Sequence, residues 1–307
     1  MGMGKYIIQR LIFTIVVVVV ISVLVFVLTN LIGNPVDILL PLTATTEQRE
    51  LLTKQLGLDR PLHVQLGEFL KKAATLDFGD SWTQRRPSME VIFEFLPLSM
   101  LLILISSTIS VLIAIPLGII AAYKRGSLLD RFLTVFSLLG ICMPPFWIGL
   151  MLMFLFAVKL GWFPTSGIGS WKHFVLPAVT ISFRPMGNLA QIVRYEMTQQ
   201  LNEMYAITAR AKGVSEGSLL RKHALKNIMT SSITIIGNDY CKQLGGLSAA
   251  VEVVYGFPGF GHLISETIQS MDYPLLQAEV FFTAVIVCLI NLLVDILYAA
   301  FDPRIRY

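Results

Sequence analysis

Residues 11–31 read LIFTIVVVVVISVLVFVLTNL, from Leu11 to Leu31 without a single charge. A helix of about 20 apolar residues crosses the hydrocarbon core of a bilayer, so this stretch spans a membrane by itself. Leu98 to Ala122 is a second span. Phe132 to Val158 is a third, closed by Lys159 and broken or kinked at Pro144-Pro145. Phe174 to Val193 is a fourth despite Arg184 and prolines at 177 and 185, and Ile228 to Tyr255 is a fifth despite Asp239, Lys242 and Glu252. Val280 to Phe301 is the sixth. The expected fold class is therefore an all-α integral membrane protein with six transmembrane helices. Composition agrees: of 307 residues, 55% are hydrophobic and 14% charged, against about 25% charged in soluble domains. That excludes a water-soluble globule and a disordered chain. A net charge of +4 is too weak a bias to suggest nucleic acid.

The first run is longer than the roughly 7–15 residues of a signal-peptide core. It is followed by Gly33-Asn34-Pro35 instead of a cleavage site, so it reads as an anchor. With six spans, alternate loops lie on opposite sides. One set of segments holds Lys5, Arg10, Lys124, Arg125, Arg131, Arg194, Arg210, Lys212, Arg221, Lys222, Lys226, Arg304 and Arg306, which is 13 of the 24 basic residues. The other set holds nine, seven of them in the long segment 32–96, and long loops translocate largely regardless of charge. Both termini are expected in the cytoplasm.

The chain divides into residues 1–96, an anchor plus an extracytoplasmic segment, and residues 97–307, a five-helix core carrying a cytoplasmic loop at 194–227. In the outer segment, Thr46 to Leu56 and Val64 to Leu76 read as short amphipathic helices, the first stopped by Gly57. They form either a lid on the membrane face or a docking surface. In the inner loop, a helical pattern from Gln200 to Lys212 stops at Gly213, and Ser215 is placed to cap a second helix through Leu225. Its basic residues either only enforce orientation or belong to a lever that receives force from a cytoplasmic protein.

Catalytic signatures are missing from the sequence. There is no G-x-x-x-x-G-K-[ST] phosphate loop, no H-E-x-x-H and no G-x-S-x-G. His63, His173, His223 and His262 show no ligand spacing, and Cys142, Cys241 and Cys288 lie in apolar stretches as buried thiols. No metal site or bound cofactor is expected, and the chain is expected not to be an enzyme. Ionisable residues inside a membrane are costly and line pathways or pair with one another, which singles out Arg184, Asp239, Lys242 and Glu252. Asp239 and Lys242, three apart, can also neutralise each other on one helix face.

Tyr205-Ala206-Ile207-Thr208-Ala209-Arg210-Ala211-Lys212-Gly213 resembles the cytoplasmic "EAA" loop of binding-protein-dependent ABC import permeases, continued by His223-Ala224-Leu225-Lys226-Asn227. Gly245-Gly246, Glu252-Val253-Val254-Tyr255-Gly256-Phe257-Pro258-Gly259-Phe260-Gly261 and Asp272-Tyr273-Pro274 resemble the family's second signature. Gly57 to Leu62, Asp77-Phe78-Gly79 and the tail Asp302 to Tyr307 fit as well. The chain is similar to the first-permease type of dipeptide, oligopeptide and nickel ABC importers, glutathione-import permeases included. Ile207 and Ser231 depart from the usual pattern.

The resemblance implies a type I ABC importer (MetI-like) permease fold in a bacterial or archaeal inner membrane. Its partners would be a second homologous permease, two P-loop ATPase subunits that use ATP and Mg, and an extracytoplasmic solute-binding protein. It places Tyr205, Ala206, Thr208, Ala209, Arg210, Ala211, Lys212 and Gly213 in an ATPase-coupling helix. There, small alanines would allow close approach and Arg210 and Lys212 would offer charge. Cargo would be a di- or oligopeptide, with glutathione, a nickel chelate, an opine or an oligosaccharide as alternatives. An ion-driven secondary transporter would show inverted repeats with broken helices in matching positions, and none is visible. A passive scaffold would have no need of Arg184 or mid-span prolines.

Overall fold

The computed structural model describes residues 3–32, 35–41 and 43–301. The Gly33-Asn34 step and the tail Asp302 to Tyr307, with Arg304 and Arg306, lie outside them. The described chain is all helical: α1 (Met3–Ile32), α2 (Val36–Leu39), α3 (Thr46–Gln55), α4 (Leu62–Thr75), α5 (Ser88–Tyr123), α6 (Leu128–Cys142), α7 (Pro145–Leu152), α8 (Lys172–Asn202), α9 (Met204–Ala211), α10 (Glu216–Ser218), α11 (Leu225–Lys242), α12 (Ala249–Val254), α13 (Phe260–Ser270) and α14 (Tyr273–Phe301). Wider π-helical turns occupy Met153–Lys159, Leu219–Ala224 and Gln243–Leu247. Such turns are rare and frequently occur at functional sites.

Among the described residues, three helices are long and apolar enough to cross a membrane: Ile8–Leu31, Ser88–Tyr123 and Tyr273–Ile296. The Pro144-Pro145 break is real. Leu128–Cys142 and Pro145–Lys159 meet at 108°, as a broken span or a re-entrant loop. Pro145 cannot supply the N–H that would continue α6, and it sits instead at the start of α7. The expected fourth and fifth spans, in α8 and α11, do not reach the same apolarity. The reason is burial: α8 packs along α6, α7 and α11, so protein lies where lipid would otherwise demand apolar side chains.

The chain forms two compact units, Met1–Leu98 with Pro258–Leu289 and Ser99–Phe257 with Ile290–Arg306. In the first, aromatic rings step from Phe26 to Phe69 to Phe78 to Phe281, with centroids 5.2–6.3 Å apart. Thr45 closes a capping box with Gln48 at the head of α3. Gly57, at φ +69°, ends that helix. Asp272 explains the Asp-Tyr-Pro motif. Fully buried, it accepts from Ser81 Oγ (2.6 Å), Thr83 Oγ1 (2.7 Å), Thr83 N (3.0 Å) and Leu275 N (3.3 Å). It thus caps α14 and fastens the 81–83 turn with one carboxylate.

In the second unit α8 is the central element. A Cβ at Gly187 would stand 2.4 Å from the Ser137 carbonyl oxygen, and one at Gly140 would stand 2.7 Å from the Phe183 carbonyl oxygen. α6 and α8 therefore touch backbone to backbone, as small residues allow in membranes. At the turn weakened by Pro185, Ser110 of α5 donates to the Ser182 carbonyl (3.1 Å). Tyr255 Oη donates to the Gly149 carbonyl (2.9 Å) and lies 3.1 Å from Thr180 Oγ1, joining α7, α8 and the end of α12. Gly187→Val should destabilise the chain by about 3 kcal/mol, because backbone on the facing helix cannot move aside as a side chain can. Thermal unfolding followed by tryptophan fluorescence in detergent checks this.

Candidate functional site

The second unit carries a partly open cavity of about 170 Å³ between the α6–α7 break, α8 and the end of α11. Arg184 and Asn188 reach it from α8, and Asp239, Lys242 and Gln243 from α11 and its π-helical end. Three of the four intramembrane candidates thus converge. Asp239 Oδ1 lies 3.8 Å from Lys242 Nζ, the i,i+3 pair expected from the sequence, and Asn188 Nδ2 donates to Asp239 Oδ2 at 3.3 Å. Arg184 is exposed in this chain although most of the α8 residues around it are buried. Glu252 does not belong with them. It is fully buried in α12 and accepts from Ser99 Oγ (2.7 Å). A larger groove of about 350 Å³ in the first unit is edged by Phe69, Phe78, Trp82 and Tyr273, but none of these four candidates reaches it.

Sequence reasoning missed Asn188 and Gln243, whose polarity is ordinary until the fold sets them beside charges. It also missed the clasp between α6 and α8. Arg194 Nε and Nη2 donate to the two oxygens of Asp130 (2.6 and 2.9 Å), and Gly126 N donates to Oδ2 (2.9 Å). Asp130 is only 5% exposed, and removing one partner of such a pair is costly. The visible signal was Ser127, which caps α6 through the Asp130 N–H, three residues on.

The 205–213 motif folds as α9 followed by a left-handed turn. Gly213 has φ +77°, its N–H donates to the Arg210 carbonyl (2.9 Å), and Val214 N donates to the Ala209 carbonyl (3.0 Å). This double bond pattern ends helices and favours glycine. Nothing lies within 4 Å of a Cβ built there, so the glycine is needed for conformation and not for tight packing. Ala206 is fully buried with Leu201, Leu219, Ala224 and Ile228, and Ala209 packs on the same core. Within this chain, both alanines pack on its own interior. Met204 (74%) and Ile207 (52%) are the large exposed apolar residues of α9, beside exposed Thr208, Arg210, Ala211 and Lys212.

Arg210 bonds within the chain while staying over a third exposed. Its Nε and Nη2 donate to Glu216 (2.6 and 3.3 Å) and its Nη1 to the Leu201 carbonyl (3.0 Å). It braces α9 against the last turn of α8 and the first of α10. Arg210 holds the Glu216 carboxyl below its ordinary range, and Glu216 raises Arg210. A depressed carboxyl contributes above its unfolded pKa and is lost as pH falls through the folded value, so the brace persists at neutral pH and opens in acid. With both side chains over a third exposed, the pair contributes at most about 1 kcal/mol. Its importance is geometric. Tyr205 Oη and Asn227 Nδ2 both donate to Gln200 Oε1 (2.9 Å each), and burial pushes the Tyr205 phenol up. Arg210→Glu should impair function, and the double change Arg210→Glu with Glu216→Arg should restore most of it, because the brace is internal. Transport-coupled ATPase activity checks the pair of variants.

Residues 114–307 match the family described as binding-protein-dependent transport system inner membrane component, and residues 3–103 match the N-terminal model of the same membrane components. The chain is 39% identical over 307 residues to the glutathione transport system permease protein GsiC of Salmonella typhimurium (strain LT2), covering 99% of this chain and all of that one. It is 38% identical over the same span to GsiC of Escherichia coli (strain K12). Its fold is similar to a chain of the MetNI methionine ABC transporter in an inward-facing conformation, with TM-score 0.57, 15% identity, 70% of this chain covered and 97% of that one. The chain belongs to the inner-membrane permeases of binding-protein-dependent ABC importers, which carry no ATPase site or cofactor of their own and work with a separate ATPase and a binding protein.

Proposed function

We propose that this permease forms half of a translocation pathway for glutathione or a similarly short peptide. The observation that carries this is the end-to-end similarity to glutathione permeases, with 99% of the chain aligned. It favours the glutathione alternative over the broader di- and oligopeptide expectation. The pathway would pass the cavity of Arg184, Asp239 and Lys242. A guanidinium exposed in mid-helix is tolerated in a membrane when it faces water or another protein, and a second, homologous permease would supply the opposite wall.

The chain would cross the membrane six times with both termini in the cytoplasm, in keeping with the basic short loops. Residues 1–96 would carry the anchor and the outer segment that meets the binding protein, and residues 97–307 the core. Two ATPase subunits would receive the 194–227 loop, with Tyr205, Ala206, Thr208, Ala209, Arg210, Ala211, Lys212 and Gly213 forming the coupling element. ATP-driven closure would move that element and switch the cavity between sides, with energy supplied by differential contact with two ATPase states.

The reconstituted complex with its binding protein should accumulate labelled glutathione only with ATP, and ATP-independent uptake by this chain alone would overturn the reading. Gly213→Val should remain in the membrane yet lose most glutathione-stimulated ATP hydrolysis. Gly213→Asn, which tolerates a left-handed turn, should keep most of it.

A further inference from the structure

Resting on the reading of this cavity as part of the pathway, we infer that it is a carboxylate subsite, in which Asp239 holds the place of the cargo's carboxylate until cargo arrives. Its walls are rich in donors. Among the described residues Arg184 makes no hydrogen bond or ion pair, although it lines the cavity. Lys242 is 53% exposed and has only the long 3.8 Å contact to Asp239. Gln243 is 4% exposed; its Oε1 accepts from Ser106 Oγ at 3.4 Å, while its Nε2 is buried without an acceptor. A buried donor left without a partner costs roughly 1–3 kcal/mol in general, so an acceptor brought to it would relieve that cost.

Against these donors stands one carboxylate, Asp239, already shared between Asn188 and Lys242. With Arg184 and Lys242 charged, the lining carries one net positive charge. It therefore complements an anion, and a planar guanidinium matches a carboxylate in two-point geometry. A cavity of about 170 Å³ is smaller than the roughly 300–1,000 Å³ of sites that enclose a whole small molecule. It accommodates one end of a solute, such as the free carboxylate of a short peptide. Arriving there, the carboxylate would take Arg184 and draw Lys242 from Asp239, so that Asp239 competes with cargo.

The test uses the full complex with its ATPase in nanodiscs, without the binding protein, and reads binding of glycylglycine, glycylglycinamide and glutathione by saturation-transfer NMR. Glycylglycine and glutathione should bind and the amide should not. Arg184→Gln should weaken binding about tenfold or more, and Arg184→Lys should keep part of it. Asp239→Asn should tighten binding severalfold, which a merely structural aspartate would not do. Co-purification of the ATPase controls for assembly. Equal binding of the amide, or wild-type affinity in both Arg184→Gln and Asp239→Asn, overturns the subsite. ATP-driven glutathione uptake, measured separately with the binding protein, reports on the cargo. Failure of uptake with Arg184-dependent carboxylate binding intact overturns the cargo and upholds the subsite.

Discussion

The contact of α6 with α8 through bare backbone, at Gly140 and Gly187, is the constraint from which the second unit follows. Two helices that close leave no room for side chains between them, and their polar residues must look elsewhere. Asp130 and Arg194 meet beside the contact as a buried clasp, while Arg184 and Asn188 turn from the same helix into the cavity. Because α8 is sheathed by α5, α6, α7 and α11, it tolerates prolines and charges that no lipid-facing helix would. Ser110 supplies a donor to its backbone where Pro185 weakens it.

α8 also joins the two places where function is proposed. Arg184 and Leu201 are separated by 17 residues of one continuous helix, about 25 Å at 1.5 Å per residue. The Leu201 carbonyl accepts from Arg210, so the orientation of α9 is referred to the helix that lines the cavity. Movement imposed on α9 would reach the cavity through a rigid element, without a chain of loosely packed side chains between them.

Much of this was legible in the sequence, and the rest was hidden for physical reasons. Apolar length identified α1, α5 and α14, since these present wide apolar faces. The same measure understates α8 and α11, because a helix surrounded by protein escapes the demands of lipid. Pro144-Pro145 announced a break, though not its 108° angle. Arg184, Asp239 and Lys242 were conspicuous as charges in apolar runs. Glu252 was equally conspicuous, yet its environment depended on Ser99, more than 150 positions away. Arg210 stood out as a charge in a basic motif, and only geometry shows its bonds to Glu216 and to the Leu201 carbonyl. Gly213 was correctly marked as a turn, but a letter cannot say whether a glycine is required by crowding or by a positive φ.

The carboxylate of Asp272 bears on how the protein is made. Its partners in the 81–83 turn precede it by about 190 positions, a separation of 191 for Ser81. At roughly 5–20 residues per second of synthesis, the 81–83 turn emerges about 10–40 s before the residue that fastens it. During that interval Ser81 and Thr83 have water as their partner, and Phe69 and Phe78 lack the ring of Phe281 that completes their stack. The first unit cannot complete these contacts until its late C-terminal portion arrives, and a nascent chain stalled before residue 272 would leave them unmade.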